Sequence, residues 1–381
     1  MHFEWLPTGS KGYNPCKGRI AAMITKRGAA RFLTICVLLS LGAIISSFGA
    51  SPAVQPSSTA IQLKLDLNSN ACHRNWDSLP NRKVAVVQFI SKQRIEQFVT
   101  SWPNHEDRLL RQTYNSSLLF ACPHTDFEII EKDIVDRFKW SFVEQFDHSH
   151  PFANGPLLHY KTLGNVDILL QPMNLHLPGY FLQKPQVPTC HKNRTWSLSY
   201  ALYSGSVFSY HIIHLPVLKK FDYFLKVDTD IDFLKNMPFD IGEELTKGNC
   251  LIGHSKLARS TDCEDESLTG VLQATEALHL EPPKSGKYSW CNQKLANLKP
   301  SVMFYGNFAA FSTHNLLLHP HVQRLSSYLY EDFEDGYYAH RWGDQAPFVM
   351  YTCYLLDIPD IENDPKVCDM SFLRDSVFKH S

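Results

Sequence analysis

The sequence lacks an excess of charge of either sign. It contains 37 lysine and arginine residues against 38 aspartate and glutamate residues, a formal net charge of −1 over 381 residues. Nucleic-acid-binding domains are usually strongly basic, so the sequence predicts no nucleic-acid partner. No internal repeat is apparent, which argues against repeat architectures. The chain is 44% hydrophobic and 12% aromatic, enough for one large domain or two modest ones to bury a core.

The ten cysteines include no CxxC pair of the kind that zinc sites use, which argues against a structural zinc cluster. Cys16 and Cys36 precede or lie within an apolar segment near the N-terminus. The other eight are widely and irregularly spaced: Cys72, Cys122, Cys190, Cys250, Cys263, Cys291, Cys353 and Cys368. This spacing favours disulfides in an oxidising compartment, with a few buried free thiols as the alternative. The pairing stays open at this point.

One long uncharged run stands near the N-terminus. Residues 32–50 carry no charge, and at the helical rise they are about long enough to cross a bilayer core of roughly 30 Å. Basic residues dominate the segment before this run, whereas the next charge after it is Lys64. The positive side of such an anchor stays in the cytoplasm. We therefore predict a single-pass type II membrane protein whose C-terminal bulk faces the lumen.

This topology divides the chain into four parts. We predict a cytoplasmic tail over 1–31, a transmembrane signal-anchor over 32–50, a stem over 51–80 and one globular domain over 81–381. The stem is rich in serine, proline, asparagine and alanine, with little apolar periodicity. The alternative to the anchor is a cleaved signal peptide with small residues up to Ala53 at the cleavage site, but the leader before the apolar run is long for that.

The first part of the globular domain alternates between strand and helix patterns. Residues 83–90, KVAVVQFI, form a β-branched apolar run of strand length, as expected of a buried parallel strand. Residues 94–113 mix charged and apolar positions as helices do, and 118–121 have the pattern of the next strand. The succession of strand, helix and strand predicts an α/β layered fold.

A further strand pattern precedes a pair of carboxylates. Residues 163–190 contain several proline, glycine and asparagine residues and are predicted to be loop, whereas 200–220 are predicted to be a helix. The run FDYFLKV, residues 221–227, predicts a short strand that leads directly into Asp228-Thr229-Asp230. In open α/β sheets, ligands bind at the carboxyl ends of the strands.

Asp228 and Asp230 are the candidate metal ligands. Two carboxylates two residues apart can approach one hard cation, Mn²⁺ or Mg²⁺, if the chain turns there. Such an ion would bridge phosphate oxygens and stabilise a departing diphosphate as a Lewis acid. The alternative is a pair of aspartates that cap their own loop. Asp232 adds a third carboxylate, or it caps a helix predicted over 233–235.

Residues 336–347, GYYAHRWGDQAP, place aromatic, basic and acidic side chains close together. Trp342 can stack on a sugar ring, Arg341 can pair bidentately with a phosphate, and Asp344 can accept a proton or position an acceptor hydroxyl. We assign Arg341 and Asp344 to catalysis, Trp342 to substrate binding and His340 to the candidate metal ligands. The alternative is a core tryptophan beside a local ion pair at the start of a helix.

Residues 301–311, SVMFYGNFAAF, form a strand pattern interrupted by Gly306-Asn307. A glycine there lets the backbone approach a ligand closely, and Asn307 can hydrogen-bond a donor sugar. The alternative is a bulge or turn in a core strand. We assign Gly306, Asn307 and Gln88 to the substrate site and add His254 to the candidate third metal ligands.

Three segments together resemble a known family. YFLKVDTDIDF, MFYGNFAAFS and GYYAHRWGDQAP occur in the order and approximate spacing seen in the fungal α-1,2-mannosyltransferases of glycosyltransferase family 15. The resemblance covers roughly residues 200–355, and its last segment is the most specific. It implies a GT-A fold, a Rossmann-like α/β nucleotide-diphospho-sugar transferase domain, here preceded by one transmembrane helix.

The resemblance also implies site roles. Asp228 stands where the family has its metal-binding glutamate, Asp230 where the following aspartate stands, and Asp344 matches an acidic residue after Trp-Gly. Ala309 occupies the position of the glutamate proposed as the family's nucleophile, so a covalent retaining mechanism through that position does not apply. The closing Tyr-x-His-x-Pro segment of the family has no clear match after Lys366.

From these features we expect a Golgi-membrane hexosyltransferase that uses Mn²⁺ or Mg²⁺. It would transfer a sugar, with mannose as the working assumption, from a nucleotide-sugar donor to a glycan or glycoprotein acceptor. One alternative is a phosphohydrolase with Asp228 as nucleophile and Asp230 as acid, which fits less well because that chemistry favours threonine or valine where this chain has Ile231. The other is a non-catalytic glycan-binding relative, suggested by Ala309.

Overall fold

The computed structural model describes most of the globular part of the chain. The described residues are 73–147, 150–183, 189–190, 194–195, 202–259, 262–280, 302–304, 306–333, 347–348, 351–352 and 364–380. The predicted cytoplasmic tail, anchor and most of the predicted stem lie outside them, and those assignments stay predictions. Within the described ranges, no helix combines the length and the apolar character needed to cross a bilayer.

The strands of the described part are named in chain order. They are β1 (His73–Asn75), β2 (Arg82–Phe89), β3 (Ser116–Pro123), β4 (Ser141–Asp147), β5 (Leu157–Lys161), β6 (Asp167–Met173), β7 (Thr189–Cys190), β8 (Arg194–Thr195), β9 (Phe221–Val227), β10 (Ile231–Phe233), β11 (Ile252–His254), β12 (Leu257–Arg259), β13 (Val302–Phe304), β14 (Phe308–Ser312), β15 (Val367–Asp369) and β16 (Phe378–His380).

The α-helices are α1 (Ile95–Arg108), α2 (Phe127–Phe138), α3 (Gly179–Gln183), α4 (Ile241–Lys247), α5 (Asp262–Ala277) and α6 (Pro320–Glu331). Two π-helical segments, Leu202–Ile212 and Thr313–Leu317, and several short 3₁₀ turns complete the secondary structure of the described residues. Helix α1 buries one stripe, formed by Ile95, Phe98, Trp102 and His105, as the helical repeat requires of a helix that lies on a sheet.

One mixed sheet organises the domain. Among the described residues its strand order is β1-β4-β5-β6-β3-β2-β9-β14-β11-β15. The four central strands β6, β3, β2 and β9 are parallel, and β14 runs antiparallel to its neighbours β9 and β11. This arrangement confirms the predicted α/β architecture and the three predicted strands over 83–90, 118–121 and 221–227.

The sheet is buried on both faces, which explains why its central strands are continuous apolar runs. In β2, Ala85 and Val87 pack into the cluster on one face, whereas Val84 and Val86 pack into the cluster on the other. All four side chains are at most 1% exposed. A parallel strand covered on both sides gains from apolar side chains at every position rather than at every second one.

Two local predictions are wrong. The predicted loop over 163–190 contains β6, which pairs with β3 and β5 inside the sheet because its apolar side chains between Asp167 and Met173 are buried. The helix predicted over 233–235 is absent, and residues Ile231–Phe233 instead form β10, which pairs with β16. There Ile231 and Phe233 are buried and Asp232 lies between them, the alternation of a strand.

The helix predicted over 200–220 is divided in two. The π-helical segment ends at Ile212, and a 3₁₀ helix occupies Pro216–Lys220. Leu215 between them is extended, because the residue before a proline is disfavoured in the helical region and Pro216 cannot donate a backbone hydrogen bond. Helical segments therefore precede β9 as predicted, but the chain turns a corner at Leu215, where a single straight helix was predicted.

The sheet begins before the predicted boundary of the globular domain. Strand β1, His73–Asn75, lies in the segment predicted as stem and pairs in parallel with β4. The structured part thus includes the last residues of that segment, because an edge strand needs only one hydrogen-bonded neighbour to be held.

A disulfide ties two strands of the sheet edge together. Cys250, just before β11, is bonded to Cys368 in β15, across a sequence separation of 118 residues. Cys122, in contrast, is a buried free thiol, and burial raises the pKa of that thiol far above its usual value. The described cysteines therefore include both a disulfide and a buried free thiol, the two states expected from the sequence.

Removing this disulfide is expected to lower the melting temperature. In the chain-entropy model a closed loop of this size contributes about 4 to 5 kcal/mol, so Cys250→Ser/Cys368→Ser should melt roughly 6 to 8 °C below the wild type. Differential scanning calorimetry measures the shift. Cys122→Ala is the matched control, because it removes a cysteine and leaves the disulfide. If reductant did not lower the melting temperature of the wild type, the prediction would be contradicted.

Candidate functional site at the carboxyl edge of the sheet

The strand order contains a reversal beside β2. The chain passes from β2 to β3 and then β6 on one side, whereas β9 joins β2 on the other side. At such a reversal the loops after two neighbouring parallel strands diverge and leave a crevice, which is the usual ligand site of open α/β sheets. Asp228 and Asp230 follow β9 directly, at the edge where β2 and β9 both end.

The turn that carries the two aspartates is fixed by its own backbone. The amide of Ile231 donates to the carbonyl oxygen of Asp228 at 3.2 Å, and the amide of Asp228 donates to the carbonyl oxygen of Asn307 at 2.9 Å. Thr229, between the two aspartates, is buried at 3% exposure. The turn therefore has one buried side chain flanked by two carboxylates, and the side chain of Asp228 is 26% exposed.

The Gly306-Asn307 turn lies against this pair. Strand β14 pairs antiparallel with β9 in a register that sets Phe308 opposite Val227, so Asn307 adjoins Asp228. Gly306 is buried and Asn307 is half-buried. The predicted interruption of the strand is confirmed, since β13 ends at Phe304 and β14 begins at Phe308. Residues predicted from separate patterns for metal and for sugar binding are thus neighbours in space.

Lys226 is a site residue that the sequence reasoning missed. Its ammonium lies 3.4 Å from Oδ1 of Asp228 and 4.5 Å from the centre of the Phe208 ring. The side chain is buried, in a strand whose one other charged residue is the exposed Asp222. A lysine in an apolar strand, two residues before an aspartate, is a sequence signal of an ion pair at a site, since burying an ammonium is costly unless it is paired. It supplies positive charge beside one carboxylate.

A row of side chains crosses one face of the sheet next to the turn. The register places Lys226 opposite Ala309, Ala309 opposite His254, and His254 opposite Asp369. Ala309 is fully buried, and the row offers no carboxylate between the lysine and the histidine. Position 309, which the sequence resemblance matches to the family's proposed nucleophile, thus carries a buried methyl group.

His254 and Asp369 share the far end of this row. Burial lowers the pKa of His254, partly offset by the charge of Asp369. Burial by itself would raise the pKa of Asp369, but hydrogen bonds from Ser371 and the charge of His254 hold it below its usual value. Within the described residues, no group of three His, Cys, Asp or Glu side chains is arranged to hold a metal. His254 is therefore not gathered with the two aspartates into a three-residue cluster.

The two aspartates by themselves fit a divalent cation. Mg²⁺ and similar hard ions are commonly bound by one or two carboxylates, with water and substrate phosphates completing the shell. Asp228 and Asp230 provide that oxygen donor set at the end of a strand, on a turn whose backbone is held at both ends. Asp232 belongs to a different environment, since Nδ2 of Asn104 donates to its Oδ1 at 3.1 Å.

The side chain of Gln88, which the sequence analysis assigns to the substrate site, is buried. Its side chain is only 1% exposed, and its amide nitrogen lies 2.8 Å from Nδ1 of His105. The amide is therefore used inside the protein, next to the aspartate turn. Four other assigned residues lie outside the described part of the chain, so their roles stay predictions: His340, Arg341, Trp342 and Asp344.

Comparison with solved structures defines the class to which this fold belongs. The chain resembles the mannosyltransferase Ktr4p from S. cerevisiae with a TM-score of 0.53 and 15% identity, over 79% of this chain and 72% of that one. For Ktr4p in complex with GDP the TM-score is 0.52 at 15% identity, over 75% and 70%. Core-mannan synthase A from Aspergillus fumigatus, in a Mn/GDP form, gives 0.51 at 14% identity, over 78% and 76%.

The fold is therefore that of the family 15 mannosyltransferases, the GT-A type of glycosyltransferase fold, as the sequence resemblance predicts. At 14–15% identity the likeness is one of fold. No protein-family model and no curated protein sequence matches the chain.

Proposed function

We propose that this protein is a glycosyltransferase that transfers a hexose from a nucleotide-sugar donor to a glycan or glycoprotein acceptor with the help of a divalent metal. The observation that carries the proposal is the placement of Asp228 and Asp230 at the strand-order reversal, with Asn307 hydrogen-bonded to their turn. The GT-A fold supports it, because folds of this type in the compared structures belong to mannosyltransferases.

The donor is proposed to be a GDP-sugar, with mannose as the sugar. Two of the compared mannosyltransferase structures contain GDP, and one of them is in a manganese form. In this chain Asp228 and Asp230 would hold Mn²⁺ or Mg²⁺ through carboxylate oxygens. When bound, the ion supplies Lewis-acid stabilisation of the charge that develops on the leaving diphosphate.

The residues of the chain have separate tasks in this proposal. Asn307 orients the donor sugar, and Gly306 lets the backbone approach it closely. Trp342 provides a surface for a sugar ring, Arg341 pairs with phosphate and Asp344 positions donor or acceptor, all as predicted from the sequence. His340 is a further proposed metal ligand.

The buried methyl group of Ala309 bears on the reaction path. A covalent glycosyl-enzyme needs a carboxylate within reach of the anomeric carbon. Position 309 has no such group, so we propose that transfer proceeds without an intermediate at this position. The protein is further proposed to be a type II Golgi membrane protein with a luminal catalytic domain, on the basis of the uncharged run over 32–50 and the basic segment before it.

A thermal-shift panel on the full-length protein in detergent tests the proposed function. GDP, UDP, their sugars and CMP-sialic acid are each added with and without Mn²⁺. We expect stabilisation by the guanine nucleotides that requires Mn²⁺, since a ligand that binds only the folded state raises its melting temperature. Metal-dependent stabilisation by another nucleotide would replace the donor. No stabilisation by any of them would favour the glycan-binding or phosphohydrolase alternative.

A further inference from the structure

Helix α1 holds the chain that follows β9 at several points. The side chain of Arg108 donates to the carbonyl oxygen of Phe233. Three further hydrogen bonds join the two segments: Oγ1 of Thr229 to Oε1 of Gln97 at 3.4 Å, Nδ2 of Asn104 to Oδ1 of Asp232 at 3.1 Å, and the amide of Met237 to the carbonyl oxygen of Arg108 at 2.7 Å. The helix therefore contacts the aspartate turn, β10 and the chain beyond it.

His105 makes the most buried of these contacts. Its Nε2 lies 2.6 Å from the carbonyl oxygen of Ile231, and its Nδ1 lies 2.8 Å from the side-chain nitrogen of Gln88. The ring packs edge-on against Phe233 at 5.2 Å. It is 2% exposed, so water does not compete for its two ring nitrogens.

The partners determine the tautomer of this ring. A carbonyl oxygen can only accept, so Nε2 must donate its hydrogen to Ile231. Nδ1 of the neutral ring is then an acceptor, and the Gln88 amide donates to it. Hydrogen-bond donation therefore runs in one direction, from Gln88 to His105 and from His105 to Ile231. These two bonds link the carboxyl end of β2 to the turn after β9.

This chain of hydrogen bonds acts on the residue beside Asp230. Ile231 is held at both of its backbone groups, because its amide donates to Asp228 and its carbonyl accepts from His105. On the other side of Asp230, Thr229 is buried. With both neighbours fixed, Asp230 has a defined backbone direction, which a metal ligand needs.

We propose that His105, oriented by Gln88, is a positioning residue that presents Asp230 to the metal. The inference rests on the proposed function, because it concerns the same metal site. It assigns to Gln88 a role behind the site, and it explains why a polar pair is buried between β2 and α1.

The test is the dissociation constant of Mn²⁺ in the presence of GDP, measured by titration calorimetry on the full-length protein. His105→Phe keeps an aromatic ring against Phe233 and removes both hydrogen bonds, so it should weaken Mn²⁺ binding roughly 10-fold or more, as the loss of a supporting residue commonly does. His105→Gln, which can still donate to Ile231, should recover most of the affinity.

The control is His211→Phe, since His211 is also a fully buried histidine, and its ring packs against Phe152, Tyr210 and Tyr330. It should leave the dissociation constant unchanged. A folded His105→Phe protein that binds Mn²⁺ within about 2-fold of the wild type would overturn the inference, because supporting residues ordinarily change affinity more. If His105→Phe does not fold, Gln88→Met decides by the same criterion. A wild type that does not bind Mn²⁺ with GDP would overturn the proposed function instead.

Discussion

Replacing Asp228 with asparagine is expected to slow sugar transfer by about 100-fold or more while the protein stays folded. Asparagine has the same shape, and the backbone bonds of the turn, from Ile231 to Asp228 and from Asp228 to Asn307, do not depend on the carboxylate. The substitution removes a charged oxygen ligand where negative charge must be stabilised. A loss of about 2.7 kcal/mol of transition-state stabilisation corresponds to that factor.

Release of nucleoside diphosphate from the donor measures this effect at a series of Mn²⁺ concentrations. Asp230→Asn should behave in the same way, and the weaker metal binding of both variants should be partly overcome by more Mn²⁺. Asp222→Asn is the matched control, since Asp222 is exposed at the opposite end of β9. Full activity in the double variant Asp228→Asn/Asp230→Asn would contradict a metal role for this pair.

The second large effect is a loss of stability between about pH 6.5 and pH 4. Burial lowers the pKa of His105 to about 4, and burial with the charge of His176 lowers that of His211 to about 3. Burial with the charge of His150 lowers the pKa of His214 to about 4. These three rings stay neutral in the folded protein at pH values where the unfolded chain is protonated.

The sign follows from the order of the pKa values. Each folded-state pKa lies below the unfolded value near 6.5, so as the pH falls the unfolded state takes up protons first. The free energy of unfolding has its full value above about pH 6.5 and declines below it. The decline is about 1.4 kcal/mol per pH unit for each histidine, and roughly 4 kcal/mol per pH unit for the three together. A change of that size over one pH unit is a large fraction of the whole stability of an ordinary domain.

Asp167 does not contribute within this window. Burial would raise its pKa, but the hydrogen bond from His159 and the charge of Arg82 hold it at about 2. The stability that a lowered carboxyl pKa contributes is present above the unfolded value near 3.8 and is lost only as the pH falls towards 2. Acid sensitivity above pH 4 therefore reports on the histidines.

Urea unfolding at several pH values between about 7.5 and 4.5 measures the slope. His211→Phe removes one buried titrating ring and should flatten the dependence by up to about 1.4 kcal/mol per pH unit. His124→Gln, at an exposed position, should leave it unchanged. A stability that is flat across this range, or an unchanged slope in His211→Phe, would contradict the prediction.

The strands that could be predicted are those whose local sequence has a clear strand pattern. Residues 83–90 and 221–227 are mostly apolar runs of strand length, rich in β-branched and aromatic residues, as expected of strands that are buried on both faces. The position of Asp228 after such a strand follows from the sequence as well. By contrast, β6 was hidden by the prolines, glycines and asparagines around its apolar residues, and β10 is too short for a period to be visible.

The site required pairings that local patterns do not contain. Asn307 reaches Asp228 only because β14 pairs antiparallel with β9. His105 and Ile231 are 126 residues apart, and their hydrogen bond exists because α1 packs beside β10. The contact of Gln88 with His105 likewise joins a strand to a helix and is not visible in either local pattern.

The sequence by itself determined the α/β class, three of the four central strands, the carboxylate pair and the resemblance to family 15 mannosyltransferases, because each of these depends on residues that are neighbours along the chain. Only the tertiary structure decided the strand order, the contact of Asn307 with Asp228, the burial of Lys226 beside it and the support of the turn by His105. These depend on hydrogen bonds and packing between distant segments, whose partners are selected by the sheet as a whole.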